Sequence, residues 1–234
     1  YENGSVEKKL IYVDPSDSNQ YVQLSYLADG TLRDSGLVLN GVQSGMWMQY
    51  DFEDGKTYRS NYVEGTEQGH TKCYYPNGQI YYEGWNVNGI ADGEMLFYEE
   101  DGSFLEYNYY VDPGKSIYRR EYDSSGRYLG FKGTALFNYH CKEDSIKRGQ
   151  EVEIQLGLAE PNGCISSISS ISSVRSASID VSSDKRDYEK RILTYSYMAP
   201  NSNLDTIMVK WLVKDVETLV ENTGTVLIPV VISK

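Results

Sequence analysis

The sequence predicts an all-β protein in two parts, an antiparallel meander of repeated hairpins followed by a β-sandwich. Three observations carry this expectation. Tyr26, Tyr50, Tyr74, Tyr98 and Tyr122 recur every 24 residues, and each is followed four or five residues later by a glycine: Gly30, Gly55, Gly78, Gly102 and Gly126. Two further series, Gly41, Gly65, Gly89 and Gly45, Gly69, Gly93, keep the same interval, and a fixed period of this kind marks a repeat architecture. From about Ala135 the rhythm stops, and short runs rich in β-branched and aromatic residues follow, bounded by Pro, Asn and Gly.

Each repeat reads as strand, turn, strand, turn. Asn-Gly and Asp-Gly accept positive φ at low cost, so the segments around Gly30, Gly55, Gly78 and Gly102 are expected to be tight hairpin turns, with a looser glycine-containing turn leading into the next unit. An earlier copy begins at Tyr1 to Gly4, and its following connection is longer and carries Asp14-Pro15. At the far end "YVDP" returns at Tyr110, and Ile117 stands where the third glycine is expected. Degenerate first and last units suit an open array, whose terminal edges must not pair with other chains.

Of the 22 tyrosines, 18 lie within residues 1 to 133, so the aromatic content belongs to the repeats. The seventh residue after four successive turn glycines is Leu37, Tyr62, Trp85 and Tyr109. This ladder is read first as core, because cross-strand aromatic pairs hold a narrow sheet together. The functional reading is a stacking platform on one face, with Tyr58, Tyr82, Trp85 and Tyr109 as the candidate ligand-binding residues.

The stretch "YYEGWNVNGIADGEMLFYEEDG", Tyr81 to Gly102, resembles the MORN repeat, whose pattern runs Tyr-x-Gly-x-Trp-x-x-Gly-x-x-x-Gly. Tyr82, Gly84 and Trp85 fall one residue closer together than that pattern, while Gly89 and Gly93 keep its spacing. The period and the tyrosine before each turn are more similar to the bacterial MORN-variant repeats than to the eukaryotic ones. The resemblance covers about the first 130 residues and implies a fold, not a catalytic residue. Members of this kind serve as scaffolds, occur in secreted and envelope proteins, or carry antitoxin labels.

Residues 133 to 234 are expected to form a second domain, after a repeat domain of residues 1 to 132. Val152, Ile154, Leu156 and Leu158 alternate beyond a bend at Arg148-Gly149, and later runs from Arg191, Asp205 and Gly224 read as strands. Pro229 inside the last run marks an edge strand, since proline cannot donate to a ladder. The pattern resembles an immunoglobulin-like sandwich. A helix from Lys210 to Gly224 competes locally, because Leu212, Val216, Leu219 and Val220 sit at helical intervals. In "CISSISSISS" apolar residues fall every third position, which fits neither helix nor strand, so the segment is expected to be an extended surface excursion. Asp144-Ser145-Ile146 and Asp205-Thr206-Ile207 resemble a short O-glycosylation acceptor of some bacterial envelope proteins.

Charge and motifs narrow the function. The formal charge is -12, of which residues 1 to 133 hold -10 (21 acidic, 11 basic) and the remainder -2 (13 acidic, 11 basic). Nucleic acid and anionic lipid headgroups are therefore excluded as partners, since both are bound through neutralisation of phosphate. No apolar run approaches the ~20 residues that span a bilayer. The chain opens at Tyr1 without a methionine, as after removal of a signal peptide or tag. Cys73, Cys141 and Cys164 leave one unpaired in any scheme; a Cys141 to Cys164 bridge stays open, with free thiols favoured. His70 and His140 lack the spacing of a zinc site, and His140-Cys141 would point to opposite faces of a strand. The carboxylates at Glu53-Asp54 and Glu99-Glu100-Asp101 flank turns and read as a solvated face. No phosphate loop, nucleophile elbow or dinucleotide fingerprint is present, and no cofactor or metal is expected. The leading expectation is a non-enzymatic binding or scaffold protein of the bacterial cell envelope, exported and lipid-anchored, with a protein or glycan partner. An intracellular antitoxin or immunity-type partner is the alternative, and a glycan-active enzyme the third. The oligomeric state stays open.

Overall fold

The computed structural model describes residues 5–111, 114–141, 143, 145–173, 179–187 and 192–233, the backbone alone for 179–187. The described residues are strands, turns and loops, without helix. The chain divides into two compact units, Tyr1–Gly130 and Phe131–Lys234.

The first unit is built on one antiparallel sheet of 11 strands in chain order. These are β1 (Lys8–Tyr12), β2 (Gln20–Tyr26), β3 (Leu32–Leu39), β4 (Val42–Tyr50), β5 (Thr57–Val63), β6 (Thr66–Tyr74), β7 (Ile80–Val87), β8 (Ile90–Tyr98), β9 (Phe104–Val111), β10 (Lys115–Tyr122) and β11 (Tyr128–Gly133). One 24-residue period is one hairpin plus its connection.

The turn types are the reverse of the expectation. The two-residue turns are Asn40-Gly41, Glu64-Gly65 and Asn88-Gly89, with φ of 52° and 84°, 49° and 79°, and 53° and 76°. Positive φ at both positions is the signature of the type I′ turn, whose twist matches that of paired strands. The segments around Gly30, Gly78, Gly102 and Gly126 are five-residue loops. In these the glycine N–H donates back three residues, as from Gly78 to the Tyr75 carbonyl at 2.9 Å. The acidic or amide side chain before the glycine holds this loop open: Asp29, Asn77 and Asp101 each accept the backbone N–H two residues on, at 2.8–2.9 Å. That local hydrogen bond competes with the tight turn and wins.

The third glycine series has a different purpose. Between the pairs Gly36↔Trp47 and Leu37↔Ser44, β4 carries two residues more than β3. The same excess recurs between Ser60↔Thr71 and Tyr62↔Glu67, and between Gly84↔Met95 and Asn86↔Ala91. Gly45, Gly69 and Gly93 lie in these irregularities with φ of 65°, 103° and 77°. At Ile117 the β9–β10 pair shifts by one residue instead, so the register is repaired without the glycine.

Two four-stranded sheets make up the second unit, in the orders β12-β14-β17-β16 and β13-β19-β18-β15. The strands are β12 (Leu136–Cys141), β13 (Ile146–Lys147), β14 (Glu151–Leu158), β15 (Cys164–Ser173), β16 (Ile179–Asp187), β17 (Ile192–Met198), β18 (Leu204–Asp215) and β19 (Glu221–Ser233). Val152, Ile154, Leu156 and Leu158 are buried from one sheet, and Ile207, Val209, Trp211 and Val213 from the other. The Tyr197 hydroxyl of β17 donates to the buried Asp205 carboxylate of β18 at 2.8 Å, so a hydrogen bond links the two sheets. β19 pairs along its length with β18 but with β13 only at Ile232 and Ser233, which leaves Pro229 on an edge, as its missing N–H requires.

Two expectations for this unit are corrected. The segment 210–224 is no helix: Trp211 and Val213 continue the alternation of β18, and the chain turns at 216–220, where Leu219 has φ 60°. "CISSISSISS" is a full strand, β15, paired with β18. The register slip between Ile168 and Ser170 offsets the faces by one residue and so puts Ile168 and Ile171 on the same side, whereas Ile165 is 54% exposed on the other. Ser166, buried on this strand, donates its hydroxyl to the Ala159 carbonyl at 2.6 Å. Of the glycosylation-like segments, Asp144 lies outside the described residues, as do Tyr1 to Gly4 and Val174, and Asp205 is committed to the core.

Two outcomes are expected. A Cβ at Gly36 would lie 2.3 Å from the Trp47 ring, so Gly36→Ala is expected to cost about 1–3 kcal/mol by overpacking. Gly78→Val has open space but must hold φ +85°, and is expected to cost about 1 kcal/mol or more. Denaturant melts of both variants check this, and unchanged midpoints contradict the assignment. The second unit is expected to melt cooperatively when expressed alone from Phe131, whose ring meets Trp211 edge-on at 5.9 Å. Starting at residue 133 removes that contact and is expected to lower the melting temperature; a fragment from Phe131 without a cooperative transition rules out independent folding.

Candidate functional site

Strand pairing assigns every side chain of the repeat sheet to one of two faces. Across the ladders Asp34, Gln49, Tyr58, Cys73, Tyr82, Phe97 and Glu106 form one row. Beside it on the same face runs Gly36, Trp47, Ser60, Thr71, Gly84, Met95 and Asn108. All buried residues of β2–β8, namely Ser25, Val38, Trp47, Ser60, Gly69, Thr71, Cys73 and Met95, fall on this face. It is the packed face, and the other is open over these strands.

The four candidate residues are divided between the faces and do not form one platform. Tyr58 and Tyr82 are on the packed face, half-buried, and flank Cys73 with ring centroids 6.5 Å apart. Trp85 and Tyr109 are on the other face, where Trp85 pairs with His70 and Tyr109 with Glu94; that face is open at Trp85 but not at β9 and β10, where Tyr107, Tyr118 and Arg120 on the same side as Tyr109 are fully buried. Tyr62 also departs from the seventh-residue ladder and lies on the packed face, its ring 6.4 Å from Trp47. The six-residue loop at 51–56 is one residue longer than its counterparts and displaces the count.

The Tyr58–Cys73–Tyr82 cluster has strongly displaced acidities and no sign of activation. Burial first, then the neighbouring Cys73, pushes the Tyr58 phenol up to about 12. Burial likewise pushes the Cys73 thiol up to about 11, and raises Tyr82 as well. A nucleophile requires the opposite shift. In the loops, Asp29, Asp54 and Asp101 are held below the usual carboxylate range by the hydrogen bonds from residues two positions on. These carboxylates thus close turns and do not face one another across a cleft.

The open face carries the side chains that ligands can reach. Trp85 is 50% exposed, whereas Trp47 and Trp211 are 2% and 1% exposed. Leu24, Ser35, Met48, Arg59, Lys72, Glu83 and Leu96 form a cross-strand row on this face. A hollow of about 440 Å³ is lined by Leu24, Leu37, Met46, Met48 and Arg59. A second, of about 360 Å³, is lined by Met48, Tyr50, Thr57, Arg59, Tyr74 and Pro76. The sequence reading passed over these residues because they sit at positions where successive repeats differ: Ser35, Arg59, Glu83 and Tyr107 are 24 apart with no common chemistry. Alternation of Met46 and Met48 within one strand was the available signal.

In the second unit a hollow of about 240 Å³ is bordered by His140, Cys141 and Glu143 and floored by Ile146, Ile154, Ile207 and Ile228. Adjacent His140 and Cys141 both border it. The Cys141 thiol donates to Glu143 Oε2 at 3.1 Å, and burial raises its pKa, so it stays protonated. None of Cys73, Cys141 and Cys164 is in a disulfide, so the Cys141–Cys164 bridge is not formed. Among the described residues no group of three or more His, Cys, Asp and Glu side chains is placed to hold a metal ion. No protein-family model matches the chain, and no curated protein is significantly similar to it.

The displaced acidities have a measurable sign. The folded sheet holds the Tyr58 and Cys73 protons more tightly than the unfolded chain, where the groups titrate at 10.0 and 9.0. Their contribution to stability is complete below about pH 9 and is lost as pH rises through the folded values. The urea midpoint of the wild type is expected to fall across that range, and Tyr58→Phe/Cys73→Ser to fall less; parallel profiles contradict the burial of these groups.

Proposed function

We propose that the chain is a non-enzymatic binding protein of the bacterial cell envelope, in which the repeat sheet presents a ligand surface and the second unit is a structural module. The hairpin repeats support kinship with the MORN-variant kind, since glycines at all three repeating positions take up positive φ where the pattern places them. The strand orders support an immunoglobulin-like reading of the second unit: relabelled A to G, β12-β14-β17-β16 is ABED, and β19-β18-β15 is GFC. β13 then adds a short parallel partner to strand G.

The observation that carries the binding function is Trp85, a large ring half exposed on an otherwise open strand face, flanked by His70. Rings held by a rigid sheet contact sugar or peptide with little entropy lost, and an aromatic surface of this kind is a common anchor. Surrounding carboxylates disfavour polyanions as partners. The thiols and phenols of the packed face have acidities shifted away from reactivity, which argues against catalysis there.

Capture on immobilised protein from envelope and cytoplasmic fractions, together with a glycan array, tests the reading. Trp85→Ala is expected to remove most retained binding while leaving the melting temperature unchanged, and the retained partner is expected from the envelope fraction. Binding indifferent to Trp85 overturns the surface assignment, and a partner confined to the cytoplasmic fraction overturns the location.

A further inference from the structure

On the open face, strands β2 to β6 carry the two hollows as one trough, because Met48 and Arg59 line both. Leu24, Leu37, Met46 and Met48 lie on one side of Arg59, and Tyr50 and Tyr74 on the other. Its cation is the unusual element. The guanidinium stands 5.1 Å from the centroid of the Tyr74 ring. Its cross-strand neighbours are Met48 and Lys72, and Lys72 is engaged by Glu83 at 2.7 Å. Among the described residues no carboxylate lies within ion-pair distance of Arg59, in a chain whose formal charge is -12. The loop acids that could have neutralised it are otherwise held: Asp54 pairs with Lys56 at 2.6 Å, and Asp51 accepts the Glu53 N–H at 2.9 Å.

We propose that this trough binds an extended peptide segment of a partner protein, with one carboxylate on Arg59 and large apolar side chains on either side. The inference rests on the open face being the binding surface. A planar guanidinium already stacked on an aromatic ring is presented for bidentate pairing with a carboxylate, and does so at low entropic cost. Met46, which is 57% exposed, and Met48 can adapt to apolar side chains of different shape. Crossing from β2 to β6 takes four strand spacings of about 4.8 Å, a span of about 19 Å. An extended peptide covers that in about six residues, at ~3.3 Å per residue. A single carboxylate is specified and a run of them is not, since Asp51 and Glu53, which follow β4 in the loop beside the trough, make no ion pair among the described residues and would repel further negative charge.

An array of random octapeptides, probed with the full chain, is the test. The binders are expected to share one Asp or Glu flanked by Leu, Ile, Phe or Met. A soluble labelled peptide of that consensus is expected to lose at least tenfold in affinity when its acid becomes the amide. Arg59→Met is expected to lose at least as much without a change in melting temperature, and Arg59→Lys to lose less. Equal binding of acid and amide peptides, binding indifferent to Arg59→Met, or no consensus on the array each overturns the proposal. Arg59-dependent binding to vesicles of anionic lipid, or Arg59-dependent self-association in light scattering, with no peptide bound, assigns the trough to a different occupant and also overturns it. If capture through Trp85 persists while the peptides fail, only the trough assignment falls; if both fail, the open face is not a binding surface.

Discussion

A single sheet has to fill its packed face with its own side chains, and the rest of the repeat unit depends on how it does so. Directly across the ladders, a large residue meets a small one. The Trp47 ring covers Gly36, and Met95 covers Gly84, so closely that a Cβ at either glycine would lie within 2.3 Å and 2.0 Å of its partner. In the intervening repeat the difference is shared, as Ser60 and Thr71 face each other through a 2.8 Å hydroxyl contact. At the first two rungs the glycine makes the room that the large side chain fills, since close packing penalises a void and an overlap alike. Trp47 adds a hydrogen bond from its indole N–H to the Leu37 carbonyl at 2.8 Å, which ties the covering ring to the strand that it covers.

The strand irregularities follow from the same constraint. Two additional residues in the second strand of the hairpins β3–β4, β5–β6 and β7–β8 give the ladder a local bend, and positive φ at Gly45, Gly69 and Gly93 makes the bend accessible. Adjacent long loops are then linked across one period, with the Tyr75 hydroxyl donating to the Tyr98 carbonyl at 3.0 Å and the Asn77 amide to the Glu100 carbonyl at 2.8 Å. These two successive loops are thus fastened to each other as well as through the strands between them.

What was legible in the sequence was whatever recurs. The phase of the tyrosines and glycines specified an antiparallel meander and located its hairpins, and the alternation of Val152 to Leu158 located a sandwich strand. What was illegible depended on competition between two local solutions. Asp-Gly and Asn-Gly can close a type I′ turn or an Asx-stabilised loop, and only the paired strands decide; Glu64-Gly65, with no turn signal at its first residue, forms the tight turn. Likewise Ile168 and Ile171 in β15, three residues apart, share a face only because of a register slip at Ser169. The division of the four candidate rings follows from alternation within one strand, since Tyr82 and Trp85 lie three residues apart in β7 and must face opposite ways; the added loop residue near Gly55 displaces only Tyr62 from its ladder. Arg59 and Met48 carried no periodic mark at all, because they occupy a slot in which the repeats differ.

That slot separates the chemistry of the unit from its architecture. Glycines, tyrosines and the large-small rungs recur because each hairpin needs them, whereas the row of Ser35, Arg59 and Glu83 changes chemistry from one hairpin to the next and ends at the fully buried Tyr107. Successive hairpins advance by two strand spacings, about 9.6 Å. The sheet is therefore graduated in units of one hairpin: gaining or losing one would lengthen or shorten it by that increment.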